Sequence, residues 1–151
     1  MAFKHIPSTS DTLLINTMMY VCRVLHDSLD NLSSESERTK VASLLLAFVD
    51  KLDFGRDVEQ QLTYYTECRA SFCNIDGIQI VLVMNVCGLA LKVAALTRGK
   101  LNKKTSVFAK SCLAYCHITI PSIKNLFKRL DLLLLCAQVG KTLFPFVDLC
   151  C

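Results

Sequence analysis

The chain of 151 residues is 52% hydrophobic and 20% charged, and its formal net charge is +4. That length suits a single domain with a sizeable core, and the high hydrophobic content argues against an intrinsically disordered chain. Five Gly and three Pro provide too few turn residues for a β-sandwich or β-barrel, and the charge is too small for a typical nucleic-acid-binding protein.

The nine cysteines are an odd number, which does not suit a framework in which every cysteine is paired in a disulfide. The first residues, MAFKHIPSTSD, contain no apolar run typical of a secretory signal peptide. Most cysteines stand among apolar residues at helical spacing. We therefore expect reduced thiols that pack as small hydrophobic groups in a cytoplasmic protein.

Apolar residues recur at intervals of three and four along most of the chain, which predicts six helices. Their expected ranges are about 11–32, 34–52, 57–73, 78–98, 105–119 and 121–140. Ser34 and Glu37 have the spacing of a capping box, and Asp57 suits the N-cap of the third helix. Ser10 or Asp11 suits the N-cap of the first helix.

Short connections between long helices force neighbouring helices to pack antiparallel. The predicted fold is therefore all-α, with antiparallel helix pairs stacked either as a bundle or as a segment of an α-solenoid. We expect an inward-facing apolar stripe on each amphipathic helix. The stripe comprises Leu14, Met18, Val21, Leu25 and Leu29 in the first helix; Val41, Leu44, Leu45, Phe48 and Leu52 in the second; Val58, Leu62, Tyr65 and Phe72 in the third; and Ile123, Leu126, Leu130, Leu133 and Ala137 in the sixth.

The fourth segment is apolar on nearly all sides, and residues 78–97 are long enough to span a membrane. Gln79, Asn85 and Lys92 interrupt that run. A Lys near the middle of a bilayer costs about 2.5–3.5 kcal/mol on insertion scales. A buried core helix is therefore the preferred interpretation, with a membrane-spanning helix as the alternative.

No group of residues has the complete spacing of a catalytic or metal-binding motif. Cys112, Cys116 and His117 form the most metal-like group, but a tetrahedral zinc site needs a second short-spaced pair that the sequence lacks. Gly140-Lys141-Thr142 is similar to the end of a phosphate-binding loop, but Leu135 stands where that loop needs a glycine. Gly140 is expected to end a helix instead. We predict no catalytic residues, no metal site and no cofactor.

Arg98, Lys100, Lys103 and Lys104 place four cations within seven residues, in the predicted loop before the fifth helix. No aromatic residue is interleaved with them, which argues against a nucleic-acid surface. This loop is predicted either to be simply solvated or to dock an acidic partner or anionic lipid.

Two short segments carry a resemblance to a known family of proteins. The first is Phe54-Gly55-Arg56-Asp57 followed by Glu59-Gln60-Gln61-Leu62, and the second is Ala114-Tyr115-Cys116 followed by Ile118-Thr119-Ile120-Pro121-Ser122. Both resemble the large α-solenoid scaffold subunits of retromer and retriever, and most closely the vacuolar protein sorting 35-like family. The resemblance extends over about residues 3–139.

The resemblance implies a HEAT-like solenoid without enzymatic activity, which serves as a scaffold in protein transport and in cargo recycling from endosomes to the plasma membrane. Such a scaffold lies in the cytoplasm and associates peripherally with endosome membranes through its complex. It binds an arrestin-like subunit toward its N-terminal end, and its C-terminal half curls around a small subunit with a phosphoesterase-like fold. Because this chain resembles the later part, the phosphoesterase-fold subunit is the expected partner. The alternative is a small helical membrane protein anchored by residues 78–97.

Family members are several-fold longer, which implies that this chain is a fragment or a shortened form. Residues 1–141 are predicted to be the solenoid segment, and residues 142–151 a divergent apolar tail in which Pro145 would break a helix. Apolar residues at both ends of the chain predict self-association unless a partner covers them.

Overall fold

A computed structural model describes residues 9–30 and 32–145, most of which are helical. α1 covers Thr9–Asp27, α2 Glu35–Asp50, α3 Val58–Ser71, α4 Asp76–Leu96, α5 Lys103–Thr119 and α6 Leu126–Leu143, and a 3-10 turn covers Ile120–Ser122. No strand occurs in these described ranges. The predicted all-α fold of helices packed against each other is confirmed, and it is consistent with a segment of an α-solenoid.

Side chains next to the helix ends explain why several helices begin where they do. The capping box of α2 is present, because the Glu37 amide donates to Ser34 Oγ and the Glu37 carboxylate accepts from the Ser34 amide at 2.8 Å. Asp57 caps α3 as predicted. Asn102 and Asn125 cap α5 and α6 in the same way, although the sequence patterns did not single them out.

Several helix ends differ from the predictions. α1 already includes Thr9, so Ser10 and Asp11 lie inside the helix rather than at its N-cap. Pro121 belongs to the 3-10 turn, and α6 begins only after Asn125. α6 continues through Gly140 to Leu143 because its last turn buries an apolar side chain against the core. The first two residues of the predicted tail are therefore helical, and residues 146–151 lie outside the described part of the chain.

α4 forms the centre of the fold and packs against α2, α3, α5 and α6. Its buried residues are Ile78, Gln79, Leu82, Val83, Val86, Cys87, Leu89, Ala90 and Val93. By length and composition α4 could cross a membrane, a property that it shares with the core helices of soluble proteins. Half of the most apolar 18-residue stretch of α4 is buried inside the protein. This burial favours the interpretation of α4 as a core helix.

The predicted inward stripes are partly right in α2 and α3 and mostly wrong in α1 and in the sixth helix, where Ile123 is buried as predicted but precedes α6. In α1 the core receives Met19 and Cys22, whereas the predicted residues Leu14, Met18 and Val21 are exposed. In α6 the exposed residues include the predicted Leu126, Leu130, Leu133 and Ala137, and the buried ones are Leu132, Cys136, Val139 and Leu143. In α2, Leu45, Phe48 and Leu52 are buried as predicted but Leu44 is exposed, and in α3 Tyr65 and Phe72 are buried. α1 and α6 each have two apolar faces, and periodicity alone does not indicate which of them meets the core.

Candidate interaction site

The connection between α2 and α3 is built around the buried side chain of Gln61. Its Oε1 accepts from the Phe54 amide at 2.7 Å, and its Nε2 donates to the Leu52 carbonyl at 2.5 Å and to the Tyr65 hydroxyl at 2.8 Å. One side chain thus satisfies backbone groups that would otherwise be buried without partners. This network explains why a glutamine, rather than an apolar residue, occupies this core position of the family segment.

The same connection is attached to α4. Phe54 is fully buried and its ring lies 4.7 Å from that of Tyr64. Gly55 has a φ of 60°, a region that glycine adopts without steric cost, and its carbonyl accepts from Lys92 Nζ at 2.7 Å. The cation that interrupts the apolar run of α4 therefore lies at the protein surface, where it holds this turn. Arg56 is exposed, and Leu62 is half-buried.

The second family segment joins α5 to α3 and α4. Tyr115 donates its hydroxyl to the Tyr65 carbonyl at 2.9 Å, and the Arg69 guanidinium lies over the Tyr115 ring at 5.5 Å. Burial raises the pKa of the Tyr115 phenol, so it remains a donor at neutral pH. Ser122 Oγ donates to the Thr119 carbonyl at 2.7 Å and stabilises the 3-10 turn at Pro121.

The four cations of the predicted docking loop are not gathered on a loop. Arg98 follows α4 in a left-handed conformation, with a φ of 52°, and Lys100 is exposed in the connection. Lys103 and Lys104 lie instead in the first turn of α5. Lys104 Nζ forms an exposed ion pair with Glu59 Oε1 of α3 at 3.0 Å.

A groove between α3 and α5 begins at this ion pair. It has a volume of about 750 Å³, and Leu62, Val107 and Phe108 contribute apolar side chains to its lining. Cations in the first turn of a helix face the positive end of its dipole and do not stabilise it. The position of Lys103 and Lys104 therefore favours a role in contacts rather than in helix stability.

Large apolar side chains are exposed on two helices at the edges of the fold. On α6 they form what we term the α6 outer face: Leu126, Phe127, Leu130, Leu133 and Leu134. On α1 they form the α1 outer face: Leu13, Leu14, Met18, Tyr20, Val21 and Val24. Each face lies on the side of its helix opposite the residues that enter the core. Contiguous exposed apolar surface of this kind marks interaction sites.

Three cysteine thiols meet in the core, which the sequence patterns did not predict. Cys87 of α4 lies with its Sγ 3.7 Å from Cys116 Sγ of α5 and 3.6 Å from Cys136 Sγ of α6. The neighbouring thiols and burial raise the pKa of the Cys116 thiol. Each of the three helices thus contributes one buried thiol to a single cluster.

The metal-like group considered from the sequence does not assemble. Of its three members, Cys116 enters the thiol cluster, Cys112 is buried separately on α5, and His117 is exposed. Burial raises the pKa of Cys112 to about 12, so this thiol stays protonated. Cys87 and Cys136 were missed because they lie on helices far apart in the sequence, and short-spaced motifs do not detect such convergence.

Comparison with known proteins places the chain in a family. Residues 2–143 match the family model described as the VPS35L C-terminal domain. The chain is 46% identical over 132 residues to the VPS35 endosomal protein sorting factor-like protein of Dictyostelium discoideum, 41% to that of Drosophila melanogaster and 39% to that of Homo sapiens. Each match covers 87% of this chain but only 13% or 14% of the relative. The chain therefore belongs to the VPS35L family, and its residues 2–143 correspond to the C-terminal domain of that family.

Proposed function

We propose that this chain is a non-enzymatic scaffold segment of a retriever-like complex, which recycles membrane cargo from endosomes to the plasma membrane. The names of its relatives describe endosomal protein sorting, which supports a role in protein transport. The proposed location is the cytoplasm, with peripheral association with endosome membranes through the complex. Family membership supports this proposal, and the exposed apolar faces of α1 and α6 provide surfaces through which a scaffold can bind other proteins.

The observation that carries the proposal is the pair of apolar outer faces on either side of an α4-centred core. Helices of a solenoid bury one face within their own repeat and another against the neighbouring unit. The α1 and α6 outer faces have the residue content of such contact surfaces. A unit of this kind contributes by binding other proteins rather than by converting a substrate.

The α6 outer face is the proposed contact for the small subunit with a phosphoesterase-like fold. Phe127 is 78% exposed and stands within a leucine-rich surface. Aromatic side chains surrounded by apolar contacts commonly supply much of the energy of a protein interface. The arrestin-like subunit is assigned to a part of the full-length family scaffold that precedes the region matched by this chain.

The cations Arg98, Lys100 and Lys103 are proposed as a secondary contact. They are exposed, and Lys104 beside them is paired with Glu59. An acidic surface of a partner, or anionic lipid beneath the complex, would compensate their charge. Such contacts act mainly on the association rate and weaken as salt concentration rises.

The test is co-purification of the chain with the small phosphoesterase-fold subunit from cells that express both. Leu130→Glu combined with Leu134→Glu is expected to abolish co-purification, because it places two charges in the α6 outer face. Leu96→Glu is the matched control, since Leu96 is an exposed leucine of α4 outside that face. Failure of the unaltered chain to retain the subunit, or undiminished retention by the double variant, would contradict the proposal.

The alternative of a membrane protein anchored by α4 rests on the length and composition of that helix. Carbonate extraction of membranes from the same cells separates the two functions. A scaffold bound through its complex is released by carbonate, whereas a protein with a spanning helix stays with the lipid. Retention of the chain in the membrane pellet would favour the anchored protein.

A further inference from the structure

Cys87, Cys116 and Cys136 come from three different helices and meet at one point in the core. The pairs in direct contact are separated by 29 and 49 residues in the sequence. All three Sγ atoms lie within 4.8 Å of one another, and their residues are 2%, 0% and 3% exposed. The tertiary fold therefore holds three sulfur atoms in a fixed triangle that is closed to solvent.

The edges of this triangle fit the requirements of a metal centre. Metal–sulfur bonds of about 2.3 Å place neighbouring sulfur atoms about 3.8 Å apart in a tetrahedral site and about 4.0 Å apart in a trigonal one. The two measured contacts are 3.7 Å and 3.6 Å. An ion could be accommodated with shifts of a few tenths of an ångström and side-chain rotation at the third edge.

The ligand set indicates which ion fits best. Among the described residues, no histidine or carboxylate joins the three thiols. The Val83 carbonyl oxygen lies 3.8 Å from Cys116 Sγ. This oxygen belongs to the backbone of α4, where carbonyl groups accept the hydrogen bonds of the helix. Structural zinc sites are almost always four-coordinate. Soft thiolate ligands also select Cu(I), and this monovalent ion is satisfied by three sulfur ligands alone.

We propose that Cys87, Cys116 and Cys136 form a trithiolate site that binds one Cu(I) ion per chain. The ion keeps its oxidation state, and the three thiols lose their protons as the three copper–sulfur bonds form, so that the occupied site carries a net charge of −2. Because the cluster is closed to solvent, the core must open transiently to admit the ion and release the protons. Bound metal would cross-link α4, α5 and α6 at the centre of the protein. This assignment is independent of the proposed role in protein transport.

The test is a transfer experiment on the full chain, purified without oxygen and with its thiols reduced. Cu(I) is supplied as a complex with a coloured chelator, and the loss of colour reports the ion taken by the protein. We expect uptake of one equivalent by the unaltered chain. Removing two ligands with Cys87→Ala and Cys136→Ala is expected to lower the affinity by more than about 100-fold, since loss of even a residue that supports a ligand commonly costs about 10- to 100-fold.

The matched control removes two other core cysteines, with Cys68→Ala and Cys112→Ala. Both residues are fully buried and lie outside the cluster, so this variant is expected to bind like the unaltered chain. Far-UV circular dichroism reports whether each variant folds. X-ray absorption at the copper edge of the loaded unaltered chain needs no variant, and it should detect three sulfur neighbours at about 2.3 Å.

Three outcomes would overturn the assignment. The first is failure of the unaltered chain to take Cu(I) from the chelator, which would leave the thiols as packing groups of the core. The second is equal binding by the two double variants, or nitrogen or oxygen neighbours in the absorption spectrum. The third is stoichiometric uptake of Zn(II), but not Cu(I), in parallel titrations.

Discussion

α4 and α6 are both apolar on more than one side, yet the fold covers them to very different extents. α4 contacts four other helices and buries nine of its residues. α6 packs against α4 and α5, and it leaves the five large apolar residues of the α6 outer face exposed. The apolar pattern of a helix therefore indicates how much apolar surface it has to bury. The number of neighbouring helices decides how much of that surface is buried within this chain.

The largest predicted effect contrasts one leucine from each helix. Leu82→Asp in α4 places an unpaired charge in the fully buried centre, which costs several kcal/mol out of a typical total stability of about 5–15 kcal/mol. We expect this variant to be unfolded at 25 °C by circular dichroism. Leu130→Asp in α6 should change the free energy of unfolding by only about 0.5 kcal/mol, because Leu130 is half exposed. Similar losses of stability in both variants would show that α6 is covered as fully as α4.

A second prediction concerns the junction that holds α3 and its preceding turn against α4. Gln61→Leu keeps the volume but leaves the Phe54 amide and the Leu52 carbonyl without their partner. Each buried unpaired group costs about 1–3 kcal/mol, so the expected loss from the two groups is about 2–6 kcal/mol. Urea denaturation measures it. Gln60→Leu is the control, with an expected change of about 0.5 kcal/mol or less, and an equal loss in both variants would contradict the role of the Gln61 network.

A smaller effect is expected at the start of α2, one of the helices that cover α4. Ser34→Ala removes the hydroxyl that accepts from the Glu37 amide, and loss of such a cap costs about 1 kcal/mol. Ser36→Ala, two residues further on and inside α2, is the control. Equal melting temperatures for the Ser34 and Ser36 variants would show that the cap does not stabilise the helix.

The same cap predicts a dependence on pH. Hydrogen bonds from the Ser34 amide and hydroxyl lower the pKa of the Glu37 carboxyl below its ordinary value. The ionised carboxylate therefore stabilises the folded chain fully above the ordinary pKa of glutamate, and this contribution disappears as the pH falls through the lower folded pKa. When the free energy of unfolding is measured at decreasing pH, the Glu37→Gln variant should lose less stability than the unaltered chain. An unchanged acid profile would indicate that the carboxylate does not cap α2.

The smallest effect on stability, but a clear effect on association, is expected at the α6 outer face. Leu130→Lys with Leu134→Lys should leave the melting temperature nearly unchanged and reduce self-association of the isolated chain, because charge replaces exposed apolar surface. Light scattering coupled to size-exclusion chromatography measures the mass. Leu13→Lys with Leu14→Lys makes the equivalent change on the α1 outer face. If the unaltered chain is a monomer at micromolar concentration, both faces are better protected than their exposure indicates.

Features that depend on nearby residues could be predicted from the sequence. The six helices follow from apolar periodicity, and the caps at Ser34 and Asp57 involve residues three positions apart, so no other part of the fold is needed to form them. The two family segments also lie where predicted, at the α2–α3 connection and around the 3-10 turn after α5. Their assignment to the VPS35L family agrees with the match over residues 2–143.

The choice between two apolar faces on α1 and α6 could not be predicted, because it depends on helices distant in the sequence. Met19 and Leu132, rather than Leu14 and Leu130, enter the core. The thiol cluster has the same origin, since packing of α4, α5 and α6 brings Cys87, Cys116 and Cys136 together. Local hydrogen bonding and apolar periodicity determine where the helices form. Which face of a helix is buried depends on the helices packed against it, and those contacts form only when the whole chain packs.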